Sequence, residues 1–153
     1  MSTAFLFPGQ GSQYVGMGVA LYRASAEARL FCDKADAQLG YALTRLCFEG
    51  PEAELNLTAF TQPALFVVAT AMWQTLKASL PQPAFVAGHS LGEFVALVAS
   101  GALDFADGLR LVAERGRLMA RAGEGAPGGM AVLLGATLEA AEALCAAAAT
   151  ASG

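Results

Sequence analysis

Short continuous apolar runs and longer stretches with apolar residues every three or four positions take turns along this chain. The first kind reads as buried strand and the second as amphipathic helix. Ala4-Phe5-Leu6-Phe7, closed by Pro8-Gly9, predicts a buried first strand. From about Val15 to Leu39 the pattern is helical, with a break near Ser25; Ala28, Phe31, Cys32, Ala35 and Leu39 share one face. Gly40 ends that stretch. Leu43 to Phe48 predicts a short helix stopped by Gly50, and Pro51 opens another turn, since proline suits a first helical position. Thr58 or Thr61 caps a longer helix to about Ser79, with Leu65, Val68, Met72 and Leu76 as its stripe.

Pro81 and Pro83 then stiffen the approach to a second apolar strand that ends at Gly88. Phe94 to Ala99 is apolar all round, which predicts a buried helix. Gly101 ends it, and Asp104 caps a helix to about Ala122. Gly123 to Gly129 reads as a Gly/Pro-rich linker, Met130 to Leu134 as a strand, and Thr137 as the cap of an Ala-rich helix to about Thr150. Strands alternating with helices make this an α/β chain. The linker divides it into residues 1–124 and the start of a second unit over 125–153.

Composition sharpens the picture in three places. The 153 residues are 56% hydrophobic and only 14% charged, with a mean hydropathy of +0.50, which is oily for a domain of this size. Either the fold is unusually buried, or part of the surface is covered by something else. No apolar run reaches the length of a membrane span, and the net charge of −4 argues against a general nucleic-acid binder. Cys32, Cys47 and Cys145 are odd in number and far apart, so they read as buried thiols of a cytoplasmic protein. His89, the only histidine, makes no familiar metal spacing with them.

The candidate chemistry centres on Gly88-His89-Ser90-Leu91-Gly92, which fits the Gly-x-Ser-x-Gly nucleophile elbow. A strand enters, the chain turns sharply, and the serine is held at the tip. The Leu91 N–H then sits at a helix N-terminus, where it can donate to negative charge growing on a carbonyl oxygen. A bland reading stands beside this one. Ser90-Leu91-Gly92-Glu93 is also a Ser-x-x-Glu capping box, which starts many helices without chemistry.

Two other stretches carry possible chemistry. Pro8 to Gln13 is either a plain turn or a loop at the carboxyl end of a parallel strand, where open α/β sheets place their sites. It lacks the length and the lysine of a phosphate-cradling loop, so a nucleotide site is rejected. In the helix after Asp104, Arg110, Glu114, Arg117 and Arg121 form a solvated charged stripe. Arg115 is off that stripe, among Leu111, Val112, Leu118 and Met119. Such an arginine snorkels outward, pairs with a structural carboxylate, or offers its donor fork to a substrate carboxylate.

Phe7-Pro8-Gly9-Gln10-Gly11-Ser12-Gln13, Thr61-Gln62-Pro63-Ala64, the elbow through Glu93, and Arg115-Gly116 coincide in one chain. Together they resemble the malonyl-CoA:acyl-carrier-protein transacylases and the acyltransferase domains of polyketide synthases, from Phe5 to the last helix. The resemblance implies an α/β-hydrolase-like large subdomain, here incomplete, and over 125–153 the first βα unit of a ferredoxin-like small subdomain. It implies Ser90 as nucleophile, backbone N–H groups of Gln10 and Leu91 as oxyanion hole, and Arg115 as the clamp on a malonyl carboxylate. Gln62 and His89 match family residues near the site; His89, just before the serine, is expected to face away from the attack. Leu91 at the variable elbow position is similar to malonyl-using members.

The implied reaction moves a malonyl group from malonyl-CoA to the phosphopantetheine thiol of acyl carrier protein through a seryl ester, with no cofactor beyond the thioester substrate. The family's base, a histidine much further along the chain, has no counterpart here. The chain is therefore expected to be about half of the enzyme, poorly stable or inactive alone, and to need a C-terminal half. An esterase or lipase shares the elbow but leaves Gln10 and Arg115 unexplained. A non-catalytic remnant that binds a carrier protein is the third reading.

Overall fold

Two short apolar runs, far apart in sequence, form one parallel ladder. Ala4–Phe7 (β1) pairs with Phe85–Gly88 (β2), Ala4 opposite Phe85 and Phe7 opposite Gly88. The computed structural model describes residues 2–124 and 133–152. A parallel pair cannot be closed by a hairpin, so the chain between the strands makes a helical crossover. In order it comprises Val19–Ala24 (α1), Ala26–Leu39 (α2), Leu43–Glu49 (α3), Glu52–Leu55 (α4) and Thr58–Leu76 (α5). After β2 come Gly92–Ala99 (α6), Phe105–Glu124 (α7) and Leu138–Ser152 (α8). Because the strands run the same way, the loop after β1 and the turn after β2 leave the sheet at one edge.

The core lies around α5, which packs against α2, α6 and α7. Its residues Thr61 to Val67, Thr70 and Ala71 are buried on nearly all sides. Phe66 stacks on Phe105, with ring centroids 5.6 Å apart and planes 18° from parallel. Leu43, Leu55, Leu91, Val95, Leu109 and Val112 complete the interior. One buried polar atom there, the Thr70 hydroxyl oxygen, has no hydrogen-bond partner among the described residues. Removing an unsatisfied buried hydroxyl while keeping its shape costs nothing in bonding. Thr70→Val is therefore expected to raise the free energy of unfolding by about 1 kcal/mol, read from a urea transition. A lower midpoint would show that the hydroxyl is bonded after all.

Several sequence expectations are corrected. The first helix begins at Val19, not Val15, because Gly16 and Gly18 take left-handed φ values of 98° and 82° and interrupt any earlier turn. Ser25 does break the stretch: its Oγ accepts from the Ala28 N–H at 3.1 Å and caps α2. Neither Thr58 nor Thr61 caps α5. Leu57 occupies that position without a side-chain bond, and the Thr61 hydroxyl donates to the Leu55 carbonyl. The α5 stripe is incompletely covered. Leu65 is buried, but Met72 and Leu76 are exposed and line an apolar cavity of about 320 Å³ with Leu6 and Trp73.

The strands are open rather than buried. Phe5 and Phe7 lean on Trp73, at centroid distances of 5.4 and 6.3 Å, but Leu6 is 77% and Phe85 71% exposed. Nothing among the described residues covers that second face. α6 is buried at Val95, Ala96 and Val98 yet exposes Leu97. Cys32 and Cys47 are buried, and burial pushes their thiols up to about 11 and about 12. Cys145 is exposed, because almost every described position of α8 faces solvent. The Thr137 hydroxyl accepts from the Ala140 N–H at the start of α8. Gly123 still belongs to α7. The rest of the expected linker, the 124/125 boundary and Met130 to Val132 of the expected strand lie outside the described residues; Leu133 and Leu134 are not in a strand. No described helix is long and apolar enough to cross a membrane.

Candidate active site

The turn after β2 is built by the absence of side chains. A Cβ on Gly88 would lie 1.9 Å from the Gly92 carbonyl carbon and 2.1 Å from the Glu93 nitrogen. A Cβ on Gly92 would lie 2.2 Å from the Phe7 carbonyl oxygen. Only glycine at both places lets α6 start directly on the ends of β1 and β2. Ser90, between them, has φ 54°, the one positive value at a non-glycine among the described residues. That conformation costs an L-residue about 1–2 kcal/mol. Held strain of this kind points to a side chain placed for use.

The capping-box reading fails on geometry. α6 begins at Gly92 with Leu91 as its N-cap, and no side-chain cap bond forms. The Glu93 N–H bonds to the Ser90 backbone carbonyl instead. Ser90 Oγ is exposed and accepts a hydrogen bond from Arg115 Nη2 at 2.9 Å.

Arg115 arrives from α7, 25 residues later. Its Nη1 donates to Gln62 Oε1 at 2.5 Å. Gln62 is fully buried in α5, and its Nε2 donates to Met119 Sδ at 3.1 Å. The amide is thus fixed with its acceptor toward the guanidinium. Arg115 is half-buried, less than its apolar neighbours suggest, because Leu111 and Leu118 are themselves exposed. No carboxylate of the described residues pairs with it. By contrast, the exposed stripe finds local partners: Arg110 with Asp107 at 3.0 Å and Arg117 with Glu114 at 2.5 Å. The hydrogen bond from Arg117 holds the Glu114 carboxyl below its usual range. The guanidinium is therefore held by two neutral oxygens, and no carboxylate among the described residues compensates its charge, an arrangement that can attract an anion.

The loop after β1 lies against the elbow. A Cβ on Gly9 would be 2.6 Å from the His89 carbonyl oxygen and 2.7 Å from its Nδ1. His89 is exposed, and its ring makes no hydrogen bond to Ser90. No hydrogen bond within the described residues takes up the backbone N–H of Gln10 or of Leu91. Leu91 is fully buried, so its free N–H is an unpaired donor beside the serine. Among the described residues no group of three or more His, Cys, Asp or Glu could hold a metal.

Two residues of this neighbourhood escape the sequence analysis in their actual roles. Met119 enters it only as an apolar neighbour of Arg115, yet its sulfur takes the Gln62 amide. Thr58 enters it only as a helix cap, yet its Oγ1 accepts from Gln10 Nε2 at 3.1 Å. Both contacts join residues about fifty positions apart, so no local pattern signals them.

Known proteins share this chain's sequence and fold. The family model described as "Acyl transferase domain" matches residues 4–150. The chain is similar to the malonyl CoA-acyl carrier protein transacylase of Bacillus subtilis, with 48% identity over 90% of this chain and 43% of that protein. Among solved structures it is similar to the malonyl-CoA:ACP transacylase of Synechocystis, with TM-score 0.76 and 48% identity over 80% of this chain and 41% of that one. It also resembles the acyl-carrier-protein S-malonyltransferase of Bartonella henselae, with TM-score 0.85 and 37% identity over 98% of this chain and 49% of that one. The chain spans less than half the length of these relatives.

Proposed function

The chain belongs to the acyl transferase domain family, and from that premise we propose that it is the serine-bearing part of an enzyme that transfers malonyl groups. The donor is malonyl-CoA and the acceptor is the phosphopantetheine thiol of an acyl carrier protein. The observation that carries this reading is Arg115: a guanidinium without a carboxylate partner among the described residues, steadied by buried Gln62 and set on the hydroxyl of a strained serine.

Ser90 Oγ attacks the thioester carbonyl carbon, and its proton passes to a base. The oxyanion gathers hydrogen bonds from the Gln10 and Leu91 N–H groups, which no hydrogen bond among the described residues takes up. The C–S bond breaks, CoA leaves as the protonated thiol, and the malonyl group stays on Ser90 as an ester. The carrier thiol then attacks that ester by the same route. Throughout, Arg115 holds the distal carboxylate. To bind it with both nitrogens, the fork releases Ser90 Oγ, so the arrival of a carboxylate frees the nucleophile.

The base belongs to polypeptide beyond these 153 residues, the part of the relatives that this chain does not match. The open faces at Leu6, Phe85, Met72 and Leu76 support that reading, since they are apolar surfaces of the kind a further segment buries. In this arrangement residues 2–124 form part of an α/β-hydrolase-like subdomain, and 133–152 belong to the opening of a ferredoxin-like one. An esterase reading leaves an unneutralised arginine beside the nucleophile without a task.

The test is acyl trapping. The chain, supplemented with the complementary segment of a relative, is mixed with malonyl-CoA without carrier protein and read by denaturing intact mass. A gain of one malonyl group that maps to Ser90 and vanishes in Ser90→Ala is expected. A gain that survives in Ser90→Ala removes the serine from the reaction.

A further inference from the structure

We propose that Thr58 is the positioning residue that fixes the spacing between the Gln10 amide and the Arg115 clamp. The inference rests on the malonyl-transfer reading for its consequence, and on geometry alone for the contact itself.

Thr58 is the first residue of α5; it bonds Gln10 and lies against α7 at Gly116, next to Arg115. Its Oγ1 accepts from Gln10 Nε2 at 3.1 Å. Its backbone carbonyl oxygen lies 2.9 Å from where a Cβ on Gly116 would stand, and the Ala59 Cα lies 3.2 Å from the same point. Gly116 follows Arg115, so α7 meets the start of α5 at van der Waals range directly beside the clamp. One residue thus borders the loop that carries the carbonyl-binding amide and the helix that carries the carboxylate-binding guanidinium.

The loop has few other restraints. Its local turn is closed by Ser12, whose Oγ donates to the Gly9 carbonyl at 2.8 Å. Gly9 packs against His89, and the Gly16 N–H donates to the Cys47 carbonyl at 2.8 Å. A further side-chain anchor is Gln13, whose Nε2 donates to Asn56 Oδ1 at 2.7 Å while its Oε1 accepts from the Gly11 N–H at 2.8 Å. The contact with Asn56 is exposed, whereas the Gln10–Thr58 contact is partly buried. One reaches the first residue of α5 and the other Asn56, two residues before it. Gln10 carries the anchored side chain and the unpaired N–H on one Cα, so holding the first restrains the direction of the second. A malonyl group separates its thioester carbonyl from its carboxylate by one methylene. A fixed distance between amide and guanidinium is what selects that length.

The experiment follows side-chain and backbone amides by ¹⁵N NMR in this chain and in Thr58→Ser, Thr58→Val and Gln10→Met, with thermal unfolding to confirm that each is folded. Thr58→Val is expected to speed solvent exchange of the Gln10 side-chain amide about fivefold, the factor one ordinary hydrogen bond corresponds to. The Gln10 backbone amide resonance moves with it. Thr58→Ser restores both signals, because it keeps the hydroxyl. Gln10→Met, which removes the donor and leaves α5 untouched, reproduces the shift of the residue-10 amide. Unchanged Gln10 signals in Thr58→Val, or a serine variant no better than valine, overturn the proposal. Malonate, added as the probe, is expected to perturb the Arg115 side chain equally in wild type and Thr58→Val. Failure of malonate to perturb Arg115 in the wild type would instead sink the malonyl reading, and the Gln10 readout would still decide the contact.

Discussion

Gly88→Ala is expected to lower the free energy of unfolding by about 3 kcal/mol or more, the upper range for overpacking a close-packed contact. The reason is where the methyl group would go. All three atoms nearest to its position, at 1.9 to 2.1 Å, are backbone atoms of Gly92 and Glu93, and none can swing away on a side-chain torsion. Relief requires the first turn of α6 to lift off β2. That turn carries fully buried Leu91 and Val95, so lifting it opens the core and displaces the Leu91 amide together. Gly40→Ala is the informative control. Gly40 has φ 76° as the C-cap of α2 and nothing within 4 Å of its added Cβ, so it should lose only about 1–2 kcal/mol for left-handed backbone. Urea transitions of the two variants separate steric collision from backbone preference. Equal losses would mean that the elbow is loose enough to absorb a methyl group.

The same contrast shows which parts of the molecule the sequence makes legible. The elbow is written in adjacent residues, an apolar strand, two glycines around a serine and an apolar helix, and local rules read it. Local rules likewise read the glycine stops of α2 and α3 and the break near Ser25. Signals become ambiguous where one pattern serves two purposes. Ser-x-x-Glu at residue 90 describes a capping box as well as an elbow, and only the folded geometry, with Leu91 as N-cap and no cap bond from Ser90, decides between them. Burial is legible only where the partner surface is present. Ala4 to Phe7 has the composition of a buried strand, yet Leu6 faces outward because no described element packs on that face. The arginine clamp is half-legible. Spacing separates Arg115 from the charged stripe, but nothing local says that Gln62, 53 residues earlier, will present its amide oxygen to it. Thr58 and Met119 were out of reach for the same reason: their partners are set by how helices pack, not by neighbours in the chain.

Arg115→Ala is expected to erase discrimination between malonyl and acetyl groups, by about 100-fold or more in relative kcat/KM for thioester transfer by the assembled enzyme. A bidentate charge-assisted pair contributes about 3 kcal/mol, which corresponds to that factor. The loss falls on malonyl transfer alone, because an acetyl group has no carboxylate for the fork to hold. Arg115→Lys should recover only a small part of it. A lysine keeps the charge, but its ammonium is a point donor and cannot bond Gln62 Oε1 and both carboxylate oxygens in one plane. The alanine variant carries a second expected signature. Gln62 is fully buried, and its Oε1 bonds to Arg115, so removing the guanidinium leaves a buried acceptor unpaired. Stability should then fall by about 1–3 kcal/mol, although a half-exposed helix residue with no ion pair would ordinarily be replaced at little cost. Gln62→Leu combined with Arg115→Ala tests the link, since the double variant has no orphaned amide and should regain most of the stability while selectivity stays lost. Equal losses of malonyl and acetyl transfer in Arg115→Ala would instead assign the guanidinium to the nucleophile it touches, Ser90 Oγ, and take the carboxylate away from it.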